Sequence, residues 1–167
     1  PHAGWNTIGN RIKRYMAFKR ADKYIIFNEA QAESFCNLYK IKRERLYFNK
    51  LSIYDVNRIL LKQDVLPVKN EVLFFGNIGK YKGINYLCEA MTRVHELLPE
   101  AHLTVAGAGT YPFDQPEYEA LPYISFINRF IENDEMVELY SRSQIVVCPY
   151  IEATQSGVIM SAYAFNK

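Results

Sequence analysis

The chain has 167 residues, 49% of them hydrophobic and 23% charged, with a formal net charge of +2. That composition excludes a disordered chain and supports a packed core in one ordinary domain, or one domain plus a piece of another. No apolar run approaches the ~20 residues that cross a bilayer, and the opening PHAGWNTIGNRIKRYM lacks the basic-then-apolar layout of a secretory leader, so a soluble intracellular (cytoplasmic) protein is expected.

In chain order, RIKRYMAFKR is the basic part of a helix. KYIIFN (23–28) is β-branched and aromatic and predicts a strand, followed by a helix in EAQAESFCNLYK with Ala32, Phe35, Cys36 and Tyr39 on one face. RLYF (45–48) is a further strand, and a linker is expected at about 62–70. EVLFFGN then reads as a strand. INYLCEAMTRVHELLP reads as a helix with Ile84, Leu87, Cys88, Met91, Val94, His95 and Leu98 on one stripe, ended by Pro99. HLTVAG and YISFI are strands, and NDEMVELYSRS is a helix with Asn133 or Asp134 as its N-cap. QIVVCPY suits a strand buried on both sides, and SGVIMSAYAF begins a last helix. Strands alternating with helices predict an α/β fold, a Rossmann-like parallel sheet with helices on both faces.

Two further features bear on chemistry. Residues 1–50 carry eleven Lys and Arg against four Asp and Glu, a balance of +7, whereas residues 51–167 carry nine against fourteen, a balance of −5. The basic part is either the solvated face of a helix or a surface attractive to anionic lipid or an anionic substrate; without a binding motif beside it, nucleic acid is not expected. Cys36, Cys88 and Cys148 are far apart, odd in number and each set among apolar residues. Buried free thiols are expected, with no disulfide and no metal site.

In a parallel sheet ligands collect at the carboxyl ends of the strands. The turns leaving those ends are GNIGKYKG (76–83), GAG (107–109), NRF (128–130) and the stretch from Glu152 to Gly157. Glycines in the first turn allow close backbone approach, and Lys82 beside a helix start supplies a positive charge next to oriented N–H groups, a combination suited to phosphate. The same residues also fit a simple glycine-rich turn with a solvated lysine. Gln155, Ser156, Gly157 and Val158 lie at a helix start whose free N–H groups favour an anion. Tyr150 reads as packing beside Pro149, and Glu152 as a site carboxylate or an exposed loop residue. A dinucleotide-binding reading is disfavoured, since no G-x-G-x-x-G with a following acidic residue is present.

Taken together, VLFFGNIGKYKGINYLCEAM, HLTVAGAG and ISFINRFIENDEMVELYSRSQIVVCPYIEATQSGVIMSAYAF resemble the C-terminal domain of the group 1 (family 4) glycosyltransferases, which have the GT-B fold of two facing Rossmann-like domains. ADKYIIFNEAQAESFCNLYKIKRERLYFNK is similar to the end of that family's N-terminal domain, and PHAG to the sequence after its His-Asp loop. The resemblance implies residues 1–69 as a remnant of an N-terminal, acceptor-side domain with its linker, and 70–167 as a nucleotide-sugar-binding domain truncated at its end. It further implies retaining transfer of a sugar from a nucleoside diphosphate sugar to the hydroxyl of a saccharide or lipid-linked acceptor, as in polysaccharide or glycoconjugate synthesis. No bound metal or other cofactor is implied.

By the same resemblance, Lys82 neutralises the diphosphate and Glu152 lies near the sugar hydroxyls as the two catalytic candidates. Asn77 stands where the family has an arginine, with Lys80 as its possible substitute. Gly76, Gly107 and Gly109 line the donor site, Asn128, Arg129 and Phe130 offer backbone contacts to the base, and Gln155, Ser156, Gly157 and Val158 face the sugar diphosphate. Glu152 aligns with the first family glutamate only with a one-residue shift, and the second falls on Ser161. A non-catalytic nucleotide- or sugar-binding module is the alternative. Peripheral contact with an anionic membrane follows from the basic residues and the lipid-linked acceptors of the family.

Overall fold

The β-branched and aromatic residues after position 22 form β1 (Tyr24–Ile26), preceded by α1 (Ile8–Arg20) and followed by α2 (Ala32–Tyr39) and β2 (Leu46–Phe48). The computed structural model describes residues 8–53, 66–113, 115–153 and 155–167, apart from the side chains of Arg11 and Arg14. It divides into two units, Pro1–Leu51 and Ser52–Lys167. In the first, β1 and β2 pair in parallel, Tyr24 opposite Leu46 and Ile26 opposite Phe48, so α2 is the crossover of a βαβ unit. Its core is Tyr24, Ala32, Ile41 and Leu46, with Phe18, Phe35, Cys36 and Tyr39 packed against them. The face expected for α2 is the one it buries. Phe18 stacks on Tyr39 at 4.2 Å, and the Tyr24 hydroxyl donates to the Phe18 carbonyl, which fixes α1 on β1.

The second unit is a four-stranded sheet. Its elements are β3 (Glu71–Phe75), α3 (Ile84–Leu97), β4 (His102–Ala106), α4 (Gln115–Glu119), β5 (Ile124–Ile127), α5 (Asn133–Arg142), β6 (Ile145–Val146) and α6 (Gly157–Ala164). The spatial order is β5-β4-β3-β6, and every pairing is parallel. Alternation along the strands sends Phe74, Leu103, Val105 and Ile124 to one face, where Ile84, Leu87, Cys88 and Met91 of α3 cover them. Leu73, Ala106 and Ile127 go to the other face, against Val137 and Tyr140 of α5 and Ala162 of α6. Helices therefore cover both faces. Phe74 is fully buried, and truncating a side chain so placed to alanine costs about 3–5 kcal/mol, a large part of what holds a domain folded.

Several expectations are corrected. The strand at QIVVCPY is not buried on both sides: only Ile145 and Val146 pair with β3, and Ile145 is 47% exposed because β6 lies at an edge of the described sheet. The stripe on α3 gives out at its C-terminal end, where Val94 and Leu98 are exposed and His95, half-buried, stacks on Tyr123 at 3.8 Å. The N-cap of α5 is Glu132, in an extended conformation; Asn133 and Asp134 are already helical, and the acids of its first turn face the positive end of the helix dipole. Cys36 and Cys148 are only half-buried, although all three cysteines are free. The short α4 was not expected; Pro116 in its first turn is a start signal. Of the expected linker, residues 62–65 lie outside the described residues. Its end is tied to the sheet, with the Val68 N–H donating to the Arg142 carbonyl at 2.7 Å and the Asn70 N–H to Gln144 Oε1 at 2.6 Å.

At the strand starts a polar ladder crosses the sheet. The Thr104 hydroxyl donates to Glu71 Oε1 at 2.6 Å, His102 Nδ1 lies 3.3 Å from Glu71 Oε2, and Ser125 Oγ lies 3.1 Å from His102 Nε2. These residues line a cavity of about 250 Å³ with Leu73, Ile127, Leu139 and Arg142. It sits at the opposite end of the strands from the turns where open parallel sheets bind ligands.

Two expectations follow for stability. Gly107 has φ +147°, and a Cβ there would lie 2.0 Å from the Gly76 carbonyl oxygen, so Gly107→Ala is expected to destabilise the protein by about 3 kcal/mol or more, read as a lowered urea midpoint. Burial pushes the Cys88 thiol from 9.0 up to about 12. Its folded pKa is raised, so its contribution is fully present below pH 9 and is lost as pH rises toward 12. At pH 8 a thiol reagent should label Cys36 and Cys148 in the folded protein and Cys88 only on unfolding.

Candidate functional site

Beyond the ends of the strands the backbone pairing continues into the turns. The Gly76 N–H donates to the Ala106 carbonyl at 3.0 Å, the Ile78 N–H to Ala108 at 2.9 Å and the Gly107 N–H to Ile127 at 3.0 Å. Ile78 and Gly109 form a further parallel bridge. The first two turns lie so close that only glycine fits at 107. Asn128 completes this edge with its side chain: the Gly109 N–H donates to Asn128 Oδ1 at 3.1 Å, and Asn128 Nδ2 donates to the Gly109 carbonyl at 3.2 Å. Gly76, Asn77, Gly107, Gly109 and Asn128 thus form one continuous rim.

The strand order turns back at β3, with β4 on one side and β6 on the other, and such a reversal opens a crevice at the carboxyl ends of the two strands involved. The turns after β3 and β6 meet there. Gly83 has φ +65°, and a Cβ at that position would lie 2.1 Å from the Pro149 carbonyl oxygen. The Ile151 N–H donates to the Tyr81 carbonyl at 2.9 Å, which fastens one turn to the other. Val158 in the first turn of α6 packs on Gly76, so the rim and the crevice share a wall.

Lys82 lies inside this crevice, in a single 3-10 turn spanning Lys80–Lys82. The residue is only 9% exposed, which rules out the solvated-lysine reading. Its Nζ sits 3.7 Å from the centre of the Tyr150 ring and 5.1 Å from that of Tyr81, and it makes no ion pair among the described residues. Burial lowers its pKa from the ordinary lysine value, and nearby Cys148 partly opposes that shift. The Tyr150 hydroxyl lies 3.1 Å from Ser156 Oγ, and burial pushes its pKa well up. Ser156 is buried at the N-cap of α6, and its side chain makes no capping hydrogen bond there. A positive charge, two aromatic faces and the free N–H groups of a helix start are therefore gathered in one place, an arrangement suited to a phosphorylated ligand.

Other expected residues stand farther out. Asn77, Lys80, Glu152 and Gln155 are exposed, and so are Arg129 and Phe130, the latter by 72%. Arg129 is held by a bidentate ion pair to Glu135, both contacts 2.7 Å, with its pKa raised by that bond and the Glu135 pKa lowered. Ser161 is buried within α6, where its side chain meets the Tyr140 hydroxyl, so no carboxylate occupies that helix position. Tyr81 and Tyr150 went unrecognised as site residues in the sequence. The signal available was an aromatic residue beside the lysine and another just after the proline, and neither says that the two turns cross.

The chain matches the family model described as glycosyl transferases group 1 over residues 69–167. It is 26% identical over 174 residues to an uncharacterized glycosyltransferase of Haemophilus influenzae; the match takes in 99% of this chain and 47% of that protein, so the chain spans about half the length of this curated relative. Among solved structures, it is similar to the C-terminal domain of LpcC, a glycosyl transferase group 1 family protein of Francisella tularensis, with 29% identity, 50% of this chain and 47% of that one covered, and a TM-score of 0.42. A GtfA/B complex is similar at 16% identity, covering 83% of this chain and 27% of that chain with a TM-score of 0.49. The family match takes in more than half of the sequence and the whole of the sheet that carries the glycine rim and the Lys82 crevice, and the chain belongs to the group 1 glycosyltransferases, with the α/β architecture of a GT-B C-terminal domain.

Proposed function

We propose that residues 70–167 bind a nucleoside diphosphate sugar and that the whole protein transfers the sugar, with retention, to an acceptor hydroxyl. The observation that carries this reading is the buried Lys82 ammonium, set over the ring of Tyr150, whose hydroxyl meets Ser156 at the start of α6. In glycosyl transfer the bond from the sugar's anomeric carbon to the diphosphate oxygen breaks, and negative charge builds on the departing diphosphate. A fixed cation and oriented N–H groups stabilise that charge more than they stabilise the bound donor, which is what accelerates the step. Lys82 and the N–H groups at Gly157 and Val158 would hold the diphosphate, the glycine rim would accept the nucleoside, and Glu152 would contact the sugar.

Residues 1–69 are proposed as the remnant of the acceptor-side domain and its linker, with the acceptor a saccharide or a lipid-linked saccharide. On this view the chain alone transfers no sugar. No helix among the described residues is long and apolar enough to cross a membrane. Peripheral contact with an anionic membrane is proposed through the basic excess of residues 1–50, worth about 1 kcal/mol per basic residue near an anionic leaflet and screened by salt. A non-catalytic binding module is the second reading, favoured by Asn77 in place of an arginine and by the buried Ser161 hydroxyl in place of a ribose-binding carboxylate.

A thermal-shift screen of nucleoside diphosphates and their sugars separates binding from its absence, since a ligand at a hundred times its dissociation constant adds about 2.7 kcal/mol of stability. Lys82→Ala should weaken nucleoside diphosphate binding by about 1.5–3 kcal/mol, read by calorimetry; equal affinity would remove the lysine from the site. Glu152→Gln should leave nucleoside diphosphate affinity unchanged and slow sugar transfer in the whole protein. Normal turnover in that variant would exclude the carboxylate, and donor binding with no transfer by the unaltered whole protein would favour the second reading.

A further inference from the structure

Lys82 is buried and has no carboxylate partner among the described residues, so something else must hold it. Around Lys82 that role falls to Tyr150, whose ring centre is 3.7 Å from Nζ, much closer than the 5.1 Å of Tyr81. An ammonium facing the negative face of an aromatic ring is attracted to it without being neutralised, so it keeps its full charge for an incoming anion. Tyr150 is itself anchored at two points. Its ring packs against the core that includes Phe74, Ile84 and Leu87, and its hydroxyl lies 3.1 Å from Ser156 Oγ at the N-cap of α6. Ser156 is buried and leaves the cap position itself unfilled, so its hydroxyl links to the ring that carries Lys82.

We propose that Tyr150 is the positioning residue of the diphosphate site: its ring is the shelf that sets the Lys82 ammonium, and its bond to Ser156 ties that shelf to the helix start, so that cation and N–H groups meet the diphosphate at a fixed separation. This rests on the donor-site reading and adds to it the device that aligns its two anion-binding elements. Those elements arrive from turns after different strands, and among the described residues no hydrogen bond joins Lys82 Nζ directly to α6. The ring supplies the connection.

The probe is inorganic pyrophosphate, measured by calorimetry on the protein and on Tyr150→Phe, Tyr150→Leu, Ser156→Ala and Lys82→Ala variants. Tyr150→Leu removes the shelf and should lose about tenfold or more in affinity. Tyr150→Phe keeps the ring and should restore most of it, leaving a loss of about threefold that Ser156→Ala reproduces. The pH profile gives a readout that mere loosening of the fold would move the other way. Affinity should fall as pH rises through the Lys82 pKa, and in Tyr150→Leu, where no ring stabilises the buried ammonium, that fall should move to lower pH, whereas a loosened fold that wetted the amine would move it to higher pH; Cys148, the other titratable group acting on Lys82, and the ionisation of pyrophosphate are common to all variants. If Tyr150→Leu binds as the unaltered protein does, or its profile is unshifted or shifted to higher pH, Tyr150 does not position Lys82 and the donor reading survives. If Lys82→Ala also binds unchanged, the donor reading falls, and the proposal with it. Should Tyr150→Leu fail to fold, Tyr150→Phe and Ser156→Ala decide: unequal losses would overturn the link between ring and helix.

Discussion

The close approach of backbone to backbone at the carboxyl edge of the sheet governs the rest of the site. Gly107 lies against the Gly76 carbonyl and Gly83 against the Pro149 carbonyl, both closer than any side chain allows. These contacts bring three turns within reach of one another, and the reversal of strand order at β3 makes the space between two of them a crevice instead of a packed seam. Lys82 follows the glycine contact directly. Because Gly83 brings its turn onto Pro149, the preceding lysine is carried over the ring of the following tyrosine, and its burial is a consequence of the same approach.

Much of the fold was legible because alternation and helical periodicity are local. Phe74 and Leu73 face opposite cores as neighbours on a strand must, and Ile84, Leu87, Cys88 and Met91 share the buried face of α3. Position within the sheet was not legible. QIVVC has the composition of a central strand and lies at a described edge, since composition reports what a strand could bury and strand order decides what it does bury. The end of the α3 stripe shows the same thing: Val94 and Leu98 continue the period past the point where the sheet gives them something to cover.

For the candidate site the division is similar. The glycine turns and Lys82 announced themselves by residue type, because few residues tolerate those conformations and a lysine beside a helix start has a short list of uses. The surroundings of Lys82 could not be read, as Tyr150 lies 68 positions away in sequence and becomes relevant only when two turns cross. Arg129 is a different case. The resemblance implies only a backbone contact to a base there, and its guanidinium is taken at both ends by Glu135, six residues on.

The clasp of Asn128 on Gly109 has a consequence for how this edge can vary. A carboxamide offers a donor and an acceptor in one plane, as a peptide group does, so the side chain adds one more rung to the sheet where the backbone of β5 has ended. The rim is then closed by a single residue; Ile131 returns to the core and Glu132 caps α5, so only the exposed two-residue segment of Arg129 and Phe130 is relieved of holding elements in place. Such a segment can gain or lose residues without disturbing the elements on either side. The scaffold therefore separates a fixed rim from an adjacent loop that is free to diverge in length among related chains.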